Sequence, residues 1–272
     1  METFFLPAAD GARFCVYHPP QGVVGTGVVF APAFAEEMNK SRHVVAQASR
    51  RLAALGVGVL LIDLKGCGDS TAAFEDATWE DWRSDVHLAV DFMHRRGHKR
   101  LVLWGMRLGA LLAAQCAASM SMEVSRCLFW QPVILGETHL TQFLRLRVAN
   151  AMLRGARRGE TGKDVRARLA AGEIQEVAGY CLSPAMAATL ERLDLVSLRP
   201  SCPVDWFEVV PEAHRAPLPG AARVIDAWQE RGTPVALMPV VAEPFWGATN
   251  AAELLQCPDL VDATARLAQA WK

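Results

Sequence analysis

Leu101-Val102-Leu103-Trp104-Gly105-Met106-Arg107-Leu108-Gly109-Ala110-Leu111-Leu112-Ala113-Ala114 is the stretch on which the architecture turns. Its first four residues form an uninterrupted apolar run, the pattern of a strand covered on both faces. Gly105 and Gly109 then flank a sharp turn, and the small side chains of residues 108–118 suit a helix that packs close to a sheet. A bend of this kind lifts the side chain at its apex, here Arg107, clear of the backbone.

Outward from the bend the same alternation repeats. Short runs rich in β-branched and aromatic residues lie at 28–31, 57–62, 127–130, 204–210 and 235–241. Helical patterns lie between or after them at 41–55, 79–95, 108–119, 219–231 and 260–271. Strand and helix in alternation predict an α/β architecture with a mostly parallel, doubly wound sheet. An opening hairpin is expected where residues 4–6 and 13–17 flank the turn signal Asp10-Gly11.

The rhythm breaks between 137 and 194, where helical patterns occur without a convincing strand. The reading is a helical lid at 137–196, inserted between an N-terminal core part at 1–136 and a C-terminal one at 197–272. Within the lid Arg145, Arg147, Arg154, Arg157, Arg158, Lys163, Arg166 and Arg168 face only Glu160 and Asp164. Such a run is either a solvated helical face or a cap that attracts an anionic head group or a membrane surface.

Composition narrows the classes. A chain of 272 residues, 51% hydrophobic and 21% charged, buries a substantial core without disulfide or metal. The seven cysteines are scattered and odd in number, which suits buried thiols in a reducing compartment and offers no metal-ligand spacing. No motif calls for a cofactor. A formal charge of -1 speaks against nucleic-acid binding over the whole surface. The first residues lack a basic stretch followed by a long apolar run, and no later segment is long and apolar enough for a span, so a cytoplasmic protein is expected.

The central bend resembles the G-x-S-x-G elbow of α/β-hydrolases, in which a strand turns sharply into a helix and presents a nucleophile. Upstream, Asp63-Leu64-Lys65-Gly66-Cys67-Gly68-Asp69-Ser70 is similar to the D-x-x-G-x-G-x-S loop of the same superfamily. Asp63 and Asp69 read as architectural there, and Cys67 as a structural thiol rather than a reactive one. The resemblance implies an α/β-hydrolase fold, but the chemistry does not carry over. A guanidinium stays protonated and has only donors, so Arg107 cannot attack a carbonyl. None of the seven histidines follows the last strand, where the resemblance implies a base; Glu243-Pro244-Phe245-Trp246 stands there instead. Near the implied acid position only Glu212 and His214 remain.

Two stretches, Ala31-Pro32-Ala33-Phe34-Ala35-Glu36-Glu37-Met38-Asn39-Lys40-Ser41-Arg42 and Leu103-Trp104-Gly105-Met106-Arg107-Leu108-Gly109-Ala110, resemble a narrower group. This is the second class of hydrolase-like proteins that accompany exosortase A systems in exopolysaccharide-producing bacteria. Trp130-Gln131-Pro132 and Pro244-Phe245-Trp246 extend the likeness, while Ala33 departs from an expected proline. Members of that group share the arginine at the elbow.

A cation at the start of a helix is electrostatically misplaced, so an anion should answer Arg107. It is either internal, with Glu36, Glu37, Glu212 and Glu243 as candidates, or a ligand carboxylate or phosphate. Asn39 or Ser41 reads as a helix cap, or Ser41 as a displaced nucleophile with Lys40 as its base. Two functions follow. One is a non-classical hydrolase or acyl transferase acting through Arg107, Glu37 or Ser41. The other is a catalytically silent protein that binds an acylated or anionic small molecule, or partners an active hydrolase or a second copy. In both, Phe34, Glu36, Asn39, Lys40, Met106, Arg107, Phe245 and Trp246 are the expected ligand contacts, with no metal.

Overall fold

The structure, a computed structural model, describes residues 1–120, 124–153, 161–212, 216–247 and 256–271. Arg154, Arg157, Arg158, Glu160 and His214 therefore lie outside the described residues. An antiparallel hairpin of β1 (Glu2–Ala8) and β2 (Gly11–His18) opens the chain. There follow β3 (Thr26–Ala31), α1 (Glu36–Ala54), β4 (Gly58–Ile62), α2 (Trp79–Arg95), β5 (Arg100–Met106), α3 (Gly109–Ser119) and β6 (Val124–Trp130). Next come α4 (Gly136–Leu153), α5 (Gly162–Ala170), β7 (Gln175–Val177), β8 (Tyr180–Leu182) and α6 (Pro184–Arg192). The chain returns to the sheet through β9 (Val204–Val210), α7 (Pro219–Glu230), β10 (Val235–Val241) and α8 (Pro258–Ala268).

Eight strands form one sheet in the order β1-β2-β4-β3-β5-β6-β9-β10, with β7 and β8 paired separately. Pairing is antiparallel at β1–β2 and β2–β4 and parallel from β4 onward. The doubly wound arrangement expected from the alternation is thus present. Side-chain alternation along β5 sends Leu101 and Leu103 into the core on one face, and Val102 and Trp104 into the core on the other. All four are at most 1% exposed, which explains why the strand reads as a continuous apolar run.

Two expectations are corrected. The helix expected from residue 41 begins at Glu36, because its first turn, Glu-Glu-Met-Asn-Lys, hides the apolar period behind polar residues. Its acidic start suits the positive end of the helix dipole. Asn39 and Ser41 consequently sit inside α1, and the residue before it, Ala35, caps nothing with its side chain. The segment between β6 and β9 also contains a hairpin, β7–β8, whose three-residue strands are too short to show alternation. Leu140, Phe143, Val165, Leu169, Leu182 and Leu190 of this segment join the same core cluster as Leu103 and Phe129 of the sheet. Among the described residues no helix is long and apolar enough to cross a membrane.

Candidate site at the strand-to-helix elbow

After β5 the chain turns at Arg107, whose φ is 54°, and enters α3 two residues later. The bend is fixed from β6: Arg107 N–H donates to Trp130 O at 3.0 Å, and Arg107 O accepts from Val133 N at 3.1 Å. A methyl group on Gly105 would lie 2.4 Å from Ala110 Cα, and one on Gly109 would lie 2.2 Å from Ala31 O. Both glycines are therefore required by contact. Ala35 after β3 and Gln131 after β6 also have positive φ, 50° and 43°. Three strained non-glycine residues thus stand at the carboxyl ends of three adjacent strands. Each costs on the order of 1–2 kcal/mol, and such strain gathers at binding and catalytic sites.

Glu37, in the first turn of α1, answers the Arg107 cation. Arg107 Nε donates to both carboxylate oxygens at 3.2 Å and Nη2 to Oε1 at 3.0 Å, while Nη1 donates to Gln131 O at 3.4 Å. The two side chains are only 14% and 12% exposed. Above the pair lies Trp246, its ring centroid 5.1 Å from the guanidinium carbon, a cation–π contact worth about 1 kcal/mol. The aromatic residue after β10 thus covers the arginine where the hydrolase resemblance implies a histidine. Of the other carboxylates weighed as partners, Glu212 and Glu243 are exposed, and Glu36 makes no hydrogen bond to Arg107. Burial pushes the Glu36 carboxyl upward, and its Oε2 is buried without a partner among the described residues.

A cleft of about 560 Å³ opens beside Arg107, walled by Gln131 to Leu135, by Thr138, His139 and Gln142 of α4, and by Leu218 to Arg223 at α7. No acidic side chain lines it. His139 is 5% exposed, and neither ring nitrogen has a partner among the described residues. Its ring stacks edge-on against Phe34 with centroids 5.8 Å apart. Burial lowers its pKa to about 4, opposed by Glu37 and reinforced by Arg107, so the imidazole is neutral at physiological pH. A neutral imidazole offers one donor and one acceptor.

The expected site residues divide. Arg107, Glu37 and Trp246 come together. Phe34, 2% exposed, backs His139, and Met106 and Phe245 are buried in the core, Phe245 against Trp130. Asn39 donates to the Tyr180 hydroxyl at 2.8 Å, Lys40 is exposed, and the buried Ser41 hydroxyl donates to Glu37 O at 2.5 Å. A hydroxyl committed to its own helix faces no lysine and no cleft. Arg42 holds Asp63 at 3.0 Å, and Asp63 in turn accepts from Asp69 N at 3.1 Å, an architectural use of the loop. Cys67 is 5% exposed and burial pushes its thiol up to about 12. In the basic segment, Arg166 pairs with Glu137 and Glu191, and Arg147 donates to Gln175. Sequence reasoning missed His139, Thr138, Gln142 and Arg223. The only advance signal lay in Trp130-Gln131-Pro132, which precedes them.

The strand order, the strained elbow and the flanking helices define an α/β-hydrolase fold. Residues 25–186 match the model of the serine aminopeptidase, S33, family, and the chain belongs to that family. Among solved structures it is similar to Est1E from Butyrivibrio proteoclasticus with ferulic acid bound, at 13% identity over 99% of this chain and 100% of that one, TM-score 0.68. It is also similar to DcsB in complex with its substrate analogue, at 13% identity over 99% of each chain, TM-score 0.65. Proline iminopeptidase of Mycobacterium smegmatis gives 13% identity over 99% and 98%, TM-score 0.58. At such identities the likeness is one of fold. A comparison with curated protein sequences found no match.

Proposed function

We propose that this hydrolase-family chain binds an acylated or anionic small molecule in the cleft beside the elbow and does not hydrolyse it by a nucleophile at residue 107. The observation that carries the reading is the Arg107–Glu37 pair beneath Trp246, which fills the apex with a permanently protonated group. Strain at Ala35, Arg107 and Gln131 supports a site retained for binding rather than a vestige. The Arg107 fork is not saturated by its partners, since Nη1 has a single long contact to Gln131 O. His139 supplies a donor and an acceptor for a carbonyl or hydroxyl of the same ligand. The resemblance to exosortase-associated proteins points to an intermediate of polysaccharide export as the ligand.

A second reading, unconventional hydrolysis or acyl transfer, is favoured by one observation: a buried, neutral imidazole with free nitrogens beside a carboxylate. A panel of nitrophenyl esters, thioesters and amides, with wild type, His139→Ala and Glu37→Ala, separates the two. No turnover with any protein, together with ligand-induced thermal stabilisation that Arg107→Ala removes, is expected. Turnover by wild type that His139→Ala abolishes overturns the binding reading in favour of the enzyme.

A further inference from the structure

A second cavity lies away from the elbow, on the α1 side of the sheet. It measures about 220 Å³ and is walled almost wholly by apolar groups: Val16 of β2, Phe30 of β3, Leu61 and Ile62 of β4, and Met38 and Val45 of α1. Five polar residues also reach it: His18, Ser41, Arg42, Arg50 and Asp63. Three of them are committed elsewhere. Ser41 donates to Glu37 O, and Arg42 and Asp63 hold each other at 3.0 Å. The remaining two, His18 and Arg50, are both basic side chains.

His18 and Arg50 also line an open groove of about 490 Å³ formed with Pro19, Pro20, Gln21 and Ala54. The two residues therefore stand where the apolar chamber meets the surface. Arg50 is exposed and has no hydrogen bond or ion pair among the described residues, while His18 is 5% exposed. Burial and the Arg50 charge hold the His18 imidazole below its ordinary value, so it adds a neutral N–H rather than a second charge. An apolar chamber with a cationic mouth fits a molecule with an apolar tail and an acidic head.

We propose that this chamber takes the alkyl chain of a straight-chain monocarboxylic acid, tail inward, with the carboxylate held at its mouth by Arg50 and His18. A cavity of about 150 Å³ holds benzene, so the chamber has room for a chain of roughly eight carbons. The tail lies against Met38 and Val45, on the helix whose first turn carries Glu37. The site is independent of the elbow reading, since it shares no lining residue with the elbow cleft.

The test is calorimetric titration of the full chain with carboxylates from butyrate to dodecanoate, and with octanol. Affinity is expected to rise about fourfold per methylene, the factor for burying one CH₂, and to stop rising near eight carbons. Arg50→Glu should weaken octanoate about tenfold and leave octanol unchanged. Ala46→Phe, which fills the chamber, should abolish both, and Arg107→Ala should abolish neither. Arg50→Glu changes an exposed side chain and carries the test alone if Ala46→Phe proves unstable. Absence of saturable octanoate binding, or octanoate binding indifferent to Arg50→Glu, overturns the proposal. Loss of octanoate in Arg107→Ala does so too, by moving the ligand to the elbow.

Discussion

Arg107 and Glu37, seventy positions apart, meet as a two-oxygen ion pair: the guanidinium Nε reaches both carboxylate oxygens at 3.2 Å. With both side chains largely buried, removing one leaves the other charged and uncompensated. Glu37→Ala should therefore lower stability by about 3 kcal/mol in urea denaturation. Adding Arg107→Met to that variant should recover most of the loss. Equal losses in single and double variants would mean that the pair contributes through packing instead.

Restoring a hydroxyl at the apex should not restore hydrolysis. Trp246, set against Arg107, offers no proton acceptor, and a serine there lacks a base at the position after β10. Arg107→Ser is expected to show no nitrophenyl acetate turnover above a mock preparation. Measurable turnover would identify His139 as a competent base.

His139 makes stability depend on pH. Its folded pKa, about 4, lies below the 6.5 of a free imidazole, so between these values the unfolded chain binds more protons. Stability should accordingly fall as pH drops from about 6.5 toward 4. Compared at pH 7 and pH 4.5, wild type should lose roughly 2–3 kcal/mol more than His139→Phe. Parallel losses in the two proteins would show that other groups set the acid limb.

Gly109 has no room for a side chain. A methyl group there meets Ala31 O at 2.2 Å and Pro32 O at 2.3 Å, both of them backbone atoms that cannot swing aside. Gly109→Ala should cost about 3 kcal/mol or more, read as a fall in melting temperature of roughly 6 °C or more. A near-native melting temperature would mean that the β3–α1 connection yields easily.

The thiols should label unevenly. Burial pushes Cys15, Cys67 and Cys116 up to about 12, whereas Cys181 on β8 is partly exposed. Native protein treated with iodoacetamide at pH 8 should carry its first modification on Cys181, by peptide mass analysis. First labelling at Cys67 would reinstate it as a reactive group.

What the sequence disclosed followed from pattern strength. Strands at 204–210 and 235–241 and the helix at 79–95 agree with the structure to the residue, because each is a strongly periodic or continuous apolar segment. The start of α1 was hidden by its polar first turn, and β7–β8 by brevity. At the site, Arg107 was legible from its place between two glycines, and Glu37 stood among four candidates that only geometry could separate. His139 was illegible. One histidine on a helix of mixed polarity has no spacing to betray it, and only the turn after β6 carries it to the elbow.

The backward-leaning backbone at residue 107 has one further consequence. Because Trp130 and Val133 clamp its amide and carbonyl, the pedestal's direction does not depend on which side chain it bears. A single codon can then exchange the displayed group while the scaffold beneath stands unaltered, so within such a fold reactive and inert members can lie one substitution apart at the apex.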